Sequence, residues 1–466
     1  MRPARILLVT TTTAILVTAG PALAAGGLSA AQALSGAGSA VQPDVAVGAS
    51  GRTAATWSAQ GKQYHLLKGR IDARLGRVGG AWAATQTLSG SGGSPLAAVG
   101  ADGVAAVAWA TEGANRTNTI FVAVARSGHS FGRRHSVAAG TGVSAPAGLE
   151  VQPDGRVVVV FTRGVHVSPP LSREESLDYV LVSPAGAEVH GSLGLTTGIP
   201  SLAETSTGTI LLASSPPPYA PTVGPPSSGG YAQAASLAPG ASAFTTPQKI
   251  YAALGNPSAG PYAIGAFAGS GGAAVGMAVD GIQPNALELA PLDATGGFGM
   301  AFPVVGIDIS NGRVGYAGPV AALPGGGDEV AAYTLQQLDN PTDEAVVSAQ
   351  VMAAVLPPGL GLPFGTPQRL SGATGIPSAP LAASAGSTSV VLWGQSAGCT
   401  QTVYAAVRPA GGTFGPASAL APRFTTQHVV CGNADNTQLS LAGAGRYLIA
   451  GWLEGSAIDV ATLSAP

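Results

Sequence analysis

Trp82-Ala-Ala-Thr-Gln-Thr-Leu88 sets a bulky side chain six positions ahead of an aliphatic one, and that spacing returns along the whole chain. It recurs as Phe131-Gly-Arg-Arg-His-Ser-Val137, Phe244-Thr-Thr-Pro-Gln-Lys-Ile250, Phe298-Gly-Met-Ala-Phe-Pro-Val304, Phe364-Gly-Thr-Pro-Gln-Arg-Leu370 and Phe414-Gly-Pro-Ala-Ser-Ala-Leu420. Ala187 to Leu193 is a degenerate copy. Leu28 to Leu34 is another, and its Ala31-Gln-Ala-Leu-Ser-Gly36 echoes Thr85-Gln-Thr-Leu-Ser-Gly90. The starts lie 49 to 66 residues apart, a period that belongs to repeat architectures.

Between these anchors the order of signals is constant. Pro43-Asp-Val-Ala-Val-Gly-Ala-Ser-Gly51 is followed one strand later by Trp57; Ala101-Asp-Gly103 precedes Trp109, and Pro153-Asp-Gly155 precedes Phe161. Each reads as two strands joined by a tight glycine hairpin. Third strands follow at Ile120–Ala125, Asp178–Val182 and Thr402–Val407, and a glycine turn such as Gly411-Gly-Thr413 leads into the bulky anchor and strand four. The repeat is therefore a four-stranded meander, and the chain is expected to be all-β.

A single meander cannot bury both faces, so the repeats must pack on one another. Four strands per period suit propeller blades better than a solenoid. The last repeat has segments at Gln438–Gly445, Tyr447–Trp452 and Ala457–Leu463 and stops at Pro466, where its fourth strand is due, whereas Leu28 to Gly36 is a fourth strand without a repeat of its own. Joining the two completes an eighth blade and removes an exposed edge. The expected fold is an eight-bladed β-propeller in one domain. Its blades fall at about 37–89, 90–138, 139–194, 195–251, 252–305, 306–371, 372–421, and 422–466 with 28–36.

In pattern, over nearly all of the mature length, the chain resembles repeat propellers of the WD40 and Asp-box type. The turn between strands three and four, Arg126-Ser-Gly-His-Ser-Phe131 or Pro409-Ala-Gly-Gly-Thr-Phe414, keeps the glycine and aromatic of an Asp-box and lacks its aspartate. No Phe/Tyr-Arg-Ile-Pro segment occurs, so the resemblance does not bring sialidase activity with it.

Arg2 and Arg5, the apolar run Ile6–Ala19 and Pro21-Ala-Leu-Ala-Ala25 read as an export signal cleaved near Ala24. That implies a secreted chain, and no later stretch reaches the length of a membrane helix. Of 466 residues, 68 are glycine and 36 proline, only 9% are charged and mean hydropathy is +0.32, which excludes a disordered chain. Without Arg2 and Arg5 the balance is 19 basic against 23 acidic residues, 19 − 23 = −4, which argues against a nucleic-acid partner. The charge is uneven: Ala25–Arg173 carries 13 basic and 6 acidic residues, Glu174 to the end 6 and 17. Cys399 and Cys431, in an exported chain, are expected to form a disulfide.

The chemical signals are weaker. Gly128-His-Ser-Phe-Gly132 and Gly394-Gln-Ser-Ala-Gly398 match the nucleophile elbow of α/β hydrolases, but neither precedes a helical pattern, so no catalytic residue is assigned. Trp57, Trp109, Trp393 and Trp452 each end a second strand; a position in step with the fold suits packing between blades better than a sugar platform. The six histidines fall at different blade positions and give no metal set. No cofactor is expected.

Variable loops on a rigid scaffold usually carry binding. The loops between strands two and three vary most, and the candidate binding residues are Arg163, His166, Arg173, Glu174 and Asp178 in the third blade and Asp339, Asp343 and Glu344 in the sixth. The last three bear the hard oxygen ligands of a Ca²⁺ loop without its spacing, so no metal is assigned. The expected function is a secreted, monomeric binding module for an extracellular ligand such as a glycan, a protein or a cell-envelope component. The alternative is a propeller-fold glycoside hydrolase or polysaccharide lyase, which needs paired carboxylates near the axis.

Overall fold

The structure is a computed structural model. It describes residues 27–465 apart from 37–39, 61–66, 165–174, 197–199, 215–231, 251–260, 270–271, 280–285, 293–295, 300–301, 307–312, 317–327, 339–345, 357–364, 373–374, 422–423 and 426–437.

Short runs of Ala, Val and Ile bounded by glycine turns give strands almost throughout; the one helical element among the described residues is a 3₁₀ turn at Ala114–Arg116. The first meander is Ala40–Val47, Arg52–Ala59, Gly69–Arg77 and the start of Gln86–Val99; the end of that long strand opens the second, with Ala105–Glu112, Thr117–Ala125 and His135–Thr141. The third is Val143–Val151, Val157–Gly164, Glu175–Val182 and Glu188–Thr196, and the fourth Ser201–Glu204, Ile210–Ser214, Ala232–Leu237 and Gln248–Ile250. Pro261–Gly269 opens the fifth and Arg313–Tyr316 the sixth, each again four antiparallel strands. In the seventh, Ile376–Pro377 and Leu381–Ala385 both pair with Thr388–Ala397, which is followed by Thr400–Arg408. The last meander is Leu439–Ala444, Tyr447–Glu454 and Ala457–Ser464.

That last sheet takes its fourth strand from the start of the chain. Gln32 pairs with Val460 and Ala33 with Asp459, flanked by Ser29 N–H to Thr462 O and Leu34 N–H to Ile458 O, both 2.7 Å.

The sequence places a break between the first two repeats at residue 89. Instead Gln86–Val99 is one continuous strand whose two ends pair with different neighbours, so the first two meanders form a seven-stranded sheet. Ser94, with φ 50°, marks where it bends.

Apolar clusters lie between consecutive meanders. One joins Ile71 and Ala73 to Val107 and Trp109, another Ile120 and Val122 to Val159 and Phe161, and a third Val158 and Val160 to Ile210 and Leu212. A further cluster packs Val45, Val47 and Trp57 of the first meander against Ile449, Leu453 and Ile458 of the last. The result is a propeller-like stack of blades. First strands of neighbouring sheets touch each other, which makes them the inner strands. Glycine permits this approach: a Cβ on Gly48 would clash with the backbone oxygen of Gly100.

Trp57, Trp109, Trp393 and Trp452 are all buried, each facing the preceding sheet. They are core residues, and no sugar platform is available at that position.

Candidate functional site

Hairpins of a meander alternate between its two ends. The strand two to three loops therefore emerge at one end, and the strand one to two and three to four turns at the other. At the first end, Arg163 closes the second strand of the third meander and Asp178 lies on the strand beside it. Arg163 Nε donates to Asp178 Oδ2 at 3.0 Å, and the guanidinium lies 5.8 Å from the Phe161 ring centroid. This half-exposed pair is the part of the expected loop site that the structure brings together. His166, Arg173, Glu174, Asp339, Asp343 and Glu344 lie outside the described residues, as does Cys431; Cys399 sits in the turn between Thr388–Ala397 and Thr400–Arg408.

The inner strands carry acids that the sequence does not single out. Asp44 links three meanders: its Oδ2 accepts from Ala97 N–H of the second meander at 2.8 Å, and its Oδ1 accepts from Ser440 Oγ–H of the last at 2.6 Å. Ser440 Oγ in turn accepts from Val45 N–H at 3.1 Å. Ser201 Oγ, at the same strand position in the fourth meander, accepts from Ala266 N–H of the fifth at 3.0 Å. Burial pushes the Asp44 carboxyl up to about 6, against the lowering pull of these donors.

Glu150 pairs with Val158 and Glu204 with Ile210 across their strands. Val158 and Ile210 share one apolar cluster between the third and fourth sheets. Directly paired residues project to the same face, so both glutamates project from opposite sides into the space between these two sheets. Burial, then the charge of Glu204 and that of Asp44, push Glu150 up to about 8. Burial and Asp102 push Glu204 up to about 7. Two such carboxyls can hold protons near neutral pH, which is what a general acid requires.

At the other end, between the first two meanders, lies an open cleft of about 480 Å³. Its walls are Leu75, Gly76 and Arg77 on the third strand of the first meander, the turn Ala81–Ala84 after it, and Gly128–Phe131 in the matching turn of the second. Trp82 is half-buried, its ring lying over Gly76, where a Cβ would come within 2.8 Å of it. Beneath, the guanidinium of Arg52 donates to Ala125 O at 3.3 Å, Arg126 O at 2.7 Å and His129 O at 2.8 Å, and also to Gly103 O. Burial and the nearby Arg77 both pull the Arg52 pKa down. Arg77 and the His129 ring are exposed and have no hydrogen-bond or ion-pair partner among the described residues. No acid lines the cleft.

No sequence pattern assembles this cleft: Trp82 reads as a repeat anchor and Gly128-His-Ser-Phe-Gly132 as a match to the elbow motif. That motif is a turn between strands, with no helix after it. The signal available was that Trp82 alone among the five tryptophans leaves the buried second-strand position.

Among the described residues no three His, Cys, Asp or Glu side chains are grouped to hold a metal, and no helix is long and apolar enough to cross a membrane. No protein-family model matches the chain, and no curated protein is significantly similar to it. Among solved structures it is similar to the β-propeller domain of the trilobed protease from Pyrococcus furiosus, at 10% identity and TM-score 0.43, covering 82% of this chain and 98% of that one. It is also similar to an ulvan lyase of polysaccharide lyase family 25 (9%, 0.48, 78% and 90%). A third is prolyl oligopeptidase B from Galerina marginata (11%, 0.47), which matches over 91% of this chain and 55% of its own.

Proposed function

We propose that this chain is an exported binding module, an eight-bladed propeller closed by its N-terminal strand, whose partner is an extracellular glycan or cell-envelope component. One observation carries the reading: in the first three meanders the described acids are mostly engaged, while exposed cations are left over. Asp44, Asp72, Asp102, Glu112, Asp154 and Asp178 each have a hydrogen bond or ion pair. Arg77, Arg126, Arg133 and His135 are exposed and have none among the described residues. Exposed cations without a counterion attract anions.

Ring closure is supported by the pairing of Gln32–Ala33 with Val460 and Asp459 and by the cluster joining the first and last sheets. Export rests on the leader read at residues 1–24. A disulfide between Cys399 and Cys431 fits that compartment, and no described cysteine is free. The Arg163–Asp178 end remains a second surface for the same partner.

The alternative, a carbohydrate-active enzyme, is favoured by one arrangement, the Glu150 and Glu204 carboxyls facing each other. The two readings separate on one preparation. The chain from residue 25 onward is applied to a glycan array and incubated with the glycans it retains. Saturable binding without new reducing ends or unsaturated sugars supports the module; product formation that is lost in Glu150→Gln overturns it.

A further inference from the structure

Resting on the binding reading, we propose that the cleft between the first two meanders is a subsite for an acidic sugar unit of a polyuronate. The apolar face of a pyranose ring lies against an indole, and its carboxylate takes a cation that nothing else neutralises. The cleft supplies both within one concavity. Trp82 is held in place by packing over Gly76, so its ring is already oriented before a ligand arrives. Arg77 stands at the end of the same strand, exposed and without a partner among the described residues, and exposed His129 lines the cleft from the opposite turn.

The charge is unbalanced by construction. Arg52 sits under the cleft with its donors committed to backbone carbonyls of the second meander, and its positive charge adds to that of Arg77. Burial and the charge of Arg77 lower the Arg52 pKa against the opposing pull of Asp102, and no carboxylate lines the cleft walls. An anion entering here relieves that repulsion, whereas a neutral sugar does not. A cation is repelled. The volume, about 480 Å³, lies within the range of small-ligand clefts, and its open side lets a polymer run on past the bound unit.

Isothermal titration with oligogalacturonate tests this, with the methyl-esterified oligomer as the neutral control. The wild-type chain should bind the acid form and bind the ester at least about tenfold more weakly. Affinity for the acid form should fall as NaCl rises from about 0.05 to about 0.5 M. Arg77→Gln, an exposed change that leaves the thermal midpoint in place, should lose about tenfold or more, and Trp82→Leu, which keeps apolar packing on Gly76, should lose a similar factor. Unaltered affinity in Arg77→Gln and Trp82→Leu overturns the cleft assignment and leaves the module reading standing with its site elsewhere. Equal binding of acid and ester likewise overturns it. Conversion of the oligomer to product in the calorimeter cell overturns the module reading itself.

Discussion

Gln86 and Phe131, 45 residues apart, hold each other by two hydrogen bonds: Gln86 Nε2 donates to Phe131 O at 2.8 Å and Phe131 N–H donates to Gln86 Oε1 at 3.0 Å. The side-chain amide of one meander's fourth strand thus pairs with the backbone amide and carbonyl of the next meander's bulky anchor. Gln248 does the same to Phe298, and Gln368 to Phe414. Phe131, Phe298 and Phe414 are buried, so the clamp fixes each outer anchor in its apolar cluster. Glutamine stands two positions before the aliphatic residue in four copies of the repeat, Gln32, Gln86, Gln248 and Gln368, and the clamp accounts for the last three.

Replacing Gln86 by Leu removes both bonds and strands the Phe131 amide. The expected loss is about 1–3 kcal/mol in urea unfolding. Gln86→Glu keeps the bond from Phe131 N–H and loses the other, so it should cost less. A Gln86→Leu chain as stable as wild type would show that the clamp is incidental.

The N-terminal strand bears on the stability of the far end. Removing residues 27–36 deletes Gln32–Ala33, uncovers the edge of Ala457–Ser464 and takes Leu28 and Leu34 out of two clusters. Termini that are not tied down tolerate trimming. This one should not: a drop of several degrees in thermal midpoint is expected, with partial restoration when a peptide of residues 27–36 is added back.

The glutamates facing each other between the third and fourth sheets give stability a pH slope of definite sign. Glu150 rises from 4.5 to about 8 and Glu204 from 4.5 to about 7, so the folded chain holds protons that the unfolded chain releases. Their contribution is fully present below about pH 4.5 and is lost as pH climbs through 7 and 8. Both side chains retain some contact with solvent, so the loss should be about 1–3 kcal/mol rather than the full shift. Thermal midpoints should fall from pH 5 to pH 9, and Glu150→Gln with Glu204→Gln should flatten the slope. A midpoint that instead rises over that interval contradicts the placement of the two groups.

Cys399 lies in the strand two to three turn of the seventh meander. If Cys431 reaches the same end, a bond pins the seventh meander to the last beside the N-terminal seam, with stabilisation of roughly 3–4 kcal/mol from loop closure. Peptide mass spectrometry of the non-reduced exported protein should find the two joined. Two alkylatable thiols would show otherwise.

Much of the architecture could be read from the chain because its signals are local. Apolar alternation over a strand, a glycine at positive φ in a hairpin and a bulky anchor before strand four are each encoded within about ten residues. The repeat multiplies them until the period is unmistakable. Hence the strands Thr117–Ala125, Glu175–Val182 and Thr400–Arg408 fall where the pattern puts them, and Leu28–Gly36 finds its partner at the other end of the chain. The tryptophans follow for the same reason: a residue in step with the repeat belongs to the repeat's packing.

What only the tertiary structure decided is which side chains of different meanders meet. Asp44 reaches Ala97 and Ser440, Glu150 faces Glu204, and Trp82 shares a cleft with His129, pairs separated by some 50 to 400 positions with no pattern linking them. Asp44 and Glu150 each sit inside a strand between apolar neighbours, where sequence shows only an interruption of the alternation. Its meaning comes from the facing sheet, which supplies a backbone donor for Asp44 and a second carboxylate for Glu150. A repeat dictates that sheets stack, because one meander cannot bury both faces. It does not dictate what stands opposite a given residue, since that depends on the exact distance and register between sheets, which packing alone sets.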